Sequence, residues 1–275
     1  MGELIRSTDG VSVALHDLGG DGPPLLLLHA TGFHGRAYTQ IARRLHDHFR
    51  VWAPDLRGHG DSITPDMALP WRGMVDDALA VLDHLGADAP LAVCGHSMGG
   101  ATAMATELRR PGTVRAAWIF EPIIFPPSAT AGSGANPLAE GARRRRQDFA
   151  SLDEVIERYT GRGPFAAVDP VVLRDYITHG FRPTADGVTL TTTGENEART
   201  FEGADLELFP RLHEIGVPVT VVGSGDGAPP ALAAPLVAAE LPAGRLVSWP
   251  DRSHFGPFED PARAAAEIIA ALAEA

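Results

Sequence analysis

The segment Gly95-His96-Ser97-Met98-Gly99 sets a serine between two glycines. It follows the apolar run Leu91-Ala92-Val93-Cys94 and precedes the helix-forming stretch Ala101-Thr102-Ala103-Met104-Ala105-Thr106-Glu107-Leu108. A strand that turns sharply into a helix lifts such a serine to the end of a sheet. Glycine is needed on either side, where a Cβ would strike neighbouring backbone. The helix start beneath it favours negative charge. Ser97 is therefore the candidate nucleophile, although a plain strand–turn–helix junction has the same local pattern and only its partners can decide.

A serine hydroxyl needs a base to take its proton, and the base needs an acid to orient it. His254 is the candidate base, because its loop, 251–261, lies between the last strand and the last helix of the chain. Of the other histidines, His46 and His48 read as solvated helix positions and His179 falls in an inserted segment. Asp226 ends the loop Gly223-Ser224-Gly225-Asp226, 28 residues before His254, and is the expected acid. Its bland alternative is a turn or a helix cap. Glu121, just after the apolar run 114–120, is the competing carboxylate; otherwise it reads as a pocket or ion-pair residue. The negative oxygen of a tetrahedral intermediate needs two N–H donors. Met98 supplies one, and Thr31, in the loop 29–35, is chosen for the other. Phe33 and His34 of that loop are expected to line the pocket.

These residues need a frame that brings them together. Val11-Ser12-Val13-Ala14-Leu15-His16 alternates like a half-exposed strand, whereas Pro24-Leu25-Leu26-Leu27-Leu28 is continuously apolar, as in a strand covered on both faces. A helix over 37–48, a strand over 50–54, a helix over 71–85 stopped by Gly86, a strand over 91–94, a helix over 98–109 and a strand over 114–120 follow. The alternation breaks after 121. Pro126-Pro127-Ser128 and Gly132-Ser133-Gly134 make a small-residue stretch, and 137–213 carries helical patterns without buried strands. Alternation resumes with a strand over 217–222, a helix over 229–240, a strand over 245–249 and a helix over 261–274. The expected fold class is α/β: a doubly wound, mostly parallel sheet, with core 1–123 and 214–275 and a helical cap, 124–213, inserted after the sixth main strand. An insertion there lies over the crevice where such sheets bind ligands.

Composition narrows the function further. With 275 residues the chain can bury a large core, and its 44% hydrophobic and 21% charged content is ordinary for a globular protein. The net charge of −12 argues against nucleic acid and anionic membrane surfaces as partners. All 23 basic residues are arginine, which excludes Schiff-base and P-loop lysine chemistry. The single cysteine, Cys94, sits in an apolar strand and reads as a buried structural thiol. No signal-like segment and no long apolar run is present, so a cytoplasmic protein is expected. No cofactor or metal is expected either. The partner is a small-molecule substrate, and a homo-oligomer remains open.

Taken together, His29-x-x-Gly32, the segment 55–62 (Asp55-Leu56-Arg57-Gly58-His59-Gly60-Asp61-Ser62), the Ser97 motif, Asp226, and His254-Phe255 followed by Glu259-Asp260-Pro261 resemble a serine hydrolase of the α/β-hydrolase fold. The resemblance covers 3–123 and 214–274. It implies cleavage of a carboxylic ester, lactone or thioester through an acyl-enzyme, on a Ser97–His254–Asp226 triad, under a cap that shapes substrate choice. It makes 55–62 a structural turn beside the pocket. It also opens carbon–carbon bond hydrolysis, cofactor-free perhydrolase or haloperoxidase chemistry, and a binding protein with a vestigial triad. Ala30 stands where the family has glycine, and Ser97 where its epoxide hydrolases and dehalogenases have aspartate. In the insertion, Arg143-Arg144-Arg145-Arg146 cannot share one helix face and reads mainly as solvated surface, with a site for an acidic substrate group as the alternative. Phe149, Tyr159, Phe165 and Phe181 read as the cap's own core.

Overall fold

The computed structural model describes residues 2–86, 89–127 and 136–273. Ser128 and Gly132-Ser133-Gly134 of the small-residue stretch lie outside them, as does 274, the last position expected in the final helix.

In chain order the elements are β1 (Glu3–Arg6), β2 (Ser12–Asp17), β3 (Pro24–Leu28), α1 (Thr39–Leu45), β4 (Arg50–Asp55), α2 (Trp71–Leu85), β5 (Leu91–His96), α3 (Met98–Arg109) and β6 (Val114–Phe120). The inserted part carries α4 (Pro137–Arg143), β7 (Asp148–Phe149), α5 (Leu152–Tyr159), α6 (Pro170–Gly180), β8 (Phe181–Thr184), β9 (Gly187–Leu190) and α7 (Gly194–Glu202). The chain then closes with β10 (Val219–Ser224), α8 (Pro229–Glu240), β11 (Gly244–Trp249), the short α9 (Gly256–Glu259) and α10 (Pro261–Leu272).

Eight strands form one sheet in the order β1-β2-β4-β3-β5-β6-β10-β11. The β1–β2 and β2–β4 pairings are antiparallel; the rest are parallel. The four leucines of β3 show why the parallel part has no polar face. Leu26 and Leu28 join one apolar cluster with Met74, Val81, Met104 and Val237 of α2, α3 and α8. Leu25 and Leu27 join another with Ile41, Leu45, Ile268 and Leu272 of α1 and α10. Side chains alternate across a strand, so a strand covered by helices on both sides must be apolar at every position. Gly86 ends α2 in the left-handed region (φ 58°), as a stop glycine does. No helix among the described residues is long and apolar enough to cross a membrane.

Two expectations need correction. β1 was not expected: it is a four-residue edge strand with three exposed positions, and carries no periodic signal. The inserted part is not purely helical, because β7, β9 and β8 form a three-stranded antiparallel sheet. Their two to four residues are too short to show alternation, and pairing with each other rather than burial on two faces makes them strands. Phe149, Phe181, Tyr176 and Val172 of this part join the α1/α10 cluster, so the insertion shares a core with the sheet's outer layer.

Candidate active site

Ser97 lies between the end of β5 and the start of α3, with φ 56° and ψ −117°. A non-glycine residue rarely holds a positive φ, and neighbouring structure must enforce it. Here the Ser97 amide donates to the Phe120 carbonyl of β6 (2.9 Å), while its carbonyl accepts from Gly100, Ala101 and Ile123. The flanking glycines are spatially required. A Cβ on Gly95 would sit 2.6 Å from the Gly100 Cα, and one on Gly99 would sit 2.1 Å from the Leu28 carbonyl oxygen. The start of α3 therefore rests on the end of β3, where the loop 29–35 begins.

The loop after β11 carries His254. Its Nδ1 meets a Glu121 carboxylate oxygen, Oε2, at 2.5 Å, and Glu121 Oε1 accepts the Ser224 amide at 2.6 Å. Glu121 is fully buried and also holds a positive φ, 43°. Asp226, the expected acid, does not touch the ring. Its Oδ2 accepts the His254 backbone N–H (2.9 Å), and its Oδ1 accepts the Ala228 N–H (2.8 Å). Sheet register explains which carboxylate reaches the ring. β6 and β10 are neighbours with Phe120 opposite Val222, so Glu121 leaves β6 inside the sheet, its amide bonded to the Val222 carbonyl. Asp226 lies beyond the end of β10 on an exposed turn, where its shorter side chain reaches backbone only.

His96 adjoins Ser97 and is buried. Its ring lies 5.1 Å from that of His254, and its Nε2 donates to the His254 carbonyl at 2.8 Å. Among the described residues no hydrogen bond joins the Ser97 hydroxyl to the His254 ring; in unliganded sites such bonds are often long. The Thr31 hydroxyl reaches the Met98 sulfur at 3.5 Å, which brings the two expected oxyanion donors into adjoining segments. The Met98 amide begins α3 and so has no acceptor within the helix. Ala30, where the family has glycine, has its methyl buried and its amide donated to the Tyr38 hydroxyl (3.1 Å).

Phe33 and His34 lie in the seam between the core and the insertion. Phe33 stacks on Phe258 (4.8 Å) and meets Tyr176 (4.9 Å). His34 stacks on Tyr176, and its Nε2 meets the Tyr176 carbonyl at 3.0 Å. Its Nδ1 is buried without a partner, and burial pushes its pKa down to about 4. The Tyr176 hydroxyl donates to the Gly32 carbonyl (3.3 Å), so the insertion grips the loop 29–35 directly.

The arginine run is more paired than expected. Arg143 bridges Glu195 and Glu202, Arg144 meets Glu140, and Arg146 meets Glu154. Arg145 is drawn inward onto Glu197 (2.9 Å) and the Tyr176 hydroxyl (2.5 Å). Helices α4 and α7 pack together, and α7 brings the acids that pair Arg143 and Arg145. His16, Asp55 and Asp61 lie close enough to hold a cation. Their atoms are already engaged: Asp55 accepts from His16, Gly35 and Asp61, while Asp61 pairs with Arg36. That donor set, with a guanidinium on it, fits a structural strut and not a metal site.

The model of the alpha/beta hydrolase family matches residues 25–268. The chain belongs to that family. This alpha/beta hydrolase is 34% identical over 158 residues to a protein named lipase LipV from Mycobacterium tuberculosis, covering 56% of each chain. It is 30% identical over 212 residues to a probable protein phosphatase methylesterase 1 from Caenorhabditis elegans, covering 73% of this chain and 57% of that protein. The aligned parts thus span little more than half the length of these two relatives. In fold it is similar to the crystal structure of E-2-(acetamidomethylene)succinate hydrolase, with a TM-score of 0.84 at 20% identity over 98% of both chains.

Proposed function

We propose that this hydrolase cleaves a carboxylic ester, lactone or thioester through an acyl-enzyme on Ser97. His254 takes the hydroxyl proton as Ser97 attacks the carbonyl carbon. Glu121, in place of Asp226, holds the imidazole by its Nδ1–H and stabilises the imidazolium that forms. The Met98 and Thr31 amides take the oxyanion. His254 then protonates the leaving group, and water releases the acid by the reverse sequence. Asp226 holds the His254 loop by its backbone. The insertion, 124–213, acts as a cap that selects the small-molecule substrate. Every step uses a side chain or amide of this chain, so the reaction calls for no cofactor.

One observation carries this reading. A buried carboxylate lies 2.5 Å from Nδ1 of a histidine whose neighbour in space, His96, adjoins a serine strained at a strand–helix elbow. The names of the two relatives, a lipase and a methylesterase, favour an ester. The test is reaction of the folded protein with a fluorophosphonate, peptide mapping of the adduct, and turnover of a panel of p-nitrophenyl esters, lactones and thioesters. Modification at Ser97 with turnover of one class supports the proposal. An unmodified Ser97 in folded protein overturns it.

A further inference from the structure

His96 and Tyr38 are buried polar residues that the proposed reaction does not use. Each is at most 3% exposed. They join three backbone segments. The Ala30 amide donates to the Tyr38 hydroxyl at 3.1 Å. Tyr38 Oη lies 2.9 Å from His96 Nδ1, and His96 Nε2 lies 2.8 Å from the His254 carbonyl oxygen. Phe120 and Phe258 close around the imidazole, at centroid distances of 5.6 and 5.5 Å.

The two ends of this chain set its direction. An amide N–H can only donate and a carbonyl can only accept. Tyr38 Oη receives the Ala30 proton, so its own proton goes to His96 Nδ1. Burial keeps the phenol protonated and the imidazole neutral. Nδ1 is therefore bare and Nε2 carries the hydrogen given to His254. The other tautomer would put two protons between Tyr38 and His96 and leave the His254 carbonyl without its donor.

We propose that Tyr38 and His96 are positioning residues: a one-directional hydrogen-bond relay that ties the oxyanion loop, the nucleophile elbow and the His254 loop into one rigid unit. The chain joins Ala30, next to the proposed donor Thr31, to His96, next to Ser97, and then to the backbone of His254. It holds the backbone of the residue whose ring Glu121 holds by its edge. This rests on the reading of Ser97 and His254 as the reacting pair.

The test uses the intact protein and three variants. His96→Gln keeps a donor at the position of Nε2. His96→Asn keeps an acceptor at the position of Nδ1 and loses the link to His254. Tyr38→Phe breaks the link to Ala30. Side-chain 15N correlation spectra of the native protein should show His96 neutral with its hydrogen on Nε2. His96→Asn and Tyr38→Phe should each lower kcat about tenfold with KM changed less than about twofold, as one buried hydrogen bond left unmade implies. They should also move the low-field proton of His254 Nδ1, while His96→Gln, which keeps the donor to the His254 carbonyl and loses the acceptor for Tyr38, moves that proton less than His96→Asn does. A native His96 protonated on Nδ1 overturns the relay even if no variant folds. So do His96→Asn and Tyr38→Phe proteins with native kcat or an unmoved His254 proton. Failure of the hydrolase reading looks different: a native protein inert to the fluorophosphonate and the panel. The two spectroscopic readouts then still decide the relay.

Discussion

Replacing Glu121 by glutamine keeps the side chain's length and removes its charge. In the native site its carboxylate lies 2.5 Å from His254 Nδ1 and is fully buried. When His254 becomes an imidazolium in the transition state, the two charge centres are about 4 Å apart, worth about 4 kcal/mol at an effective dielectric constant of about 20. That corresponds to about a thousandfold in kcat. An amide could also present its NH2 to the ring and favour the wrong tautomer, a fault that costs about ten-thousandfold in the serine-protease triad. Glu121→Gln should therefore lower kcat by three to four orders of magnitude (roughly, from the same two sources). Asp226→Asn keeps an acceptor for one of the two amides it now holds, that of His254 or that of Ala228, and the charge it removes is exposed to water. Its loss should be within about tenfold, as for a screened charge. Steady-state kinetics on the ester the panel identifies, with far-ultraviolet circular dichroism to confirm folding, compare the two. A greater loss in Asp226→Asn than in Glu121→Gln would refute the assignment of the acid.

Three further outcomes follow from burial. His29 and His34 are buried neutral, with pKa values pushed by burial down to about 3 and about 4. The unfolded chain takes up protons near pH 6.5 that the folded chain refuses, so stability is full above that pH and falls as pH drops toward 4, by about 1.4 kcal/mol per pH unit per histidine. Urea midpoints between pH 7.5 and 4.5 (roughly the span of that titration) read this, and a flat profile would contradict it. Gly99→Ala would place a methyl 2.1 Å from the Leu28 carbonyl oxygen; it should cost about 1–3 kcal/mol or more in thermal melts, and native stability would refute the packing argument. Arg57 and Asp77 are both fully buried and meet at 2.8 and 3.0 Å. Asp77→Ala removes the buried partner of that cation and leaves it only the exposed Asp9 carboxylate; it should cost about 3–5 kcal/mol, whereas Arg57→Met with Asp77→Leu should cost less, by chemical denaturation.

The alternation of apolar runs with helical stretches determined the doubly wound sheet, since a strand covered on both faces has no polar positions, as Leu25–Leu28 show. The glycines around Ser97 marked the elbow because only a missing Cβ permits the contacts of Gly95 and Gly99. The position of His254 in the loop after the last strand was legible. Lateral order was not legible. Glu121 and Asp226 each follow a strand, and the sequence holds no record that β6 lies beside β10 with Phe120 opposite Val222. That register, with one more methylene in glutamate, puts Glu121 on the ring and leaves Asp226 on backbone. The pairing of Arg145 with Glu197, the strands of the insertion and the link from Tyr38 through His96 to His254 share this character. Each joins residues far apart in the chain, and such contacts come into being only when packed layers bring those residues within hydrogen-bonding reach.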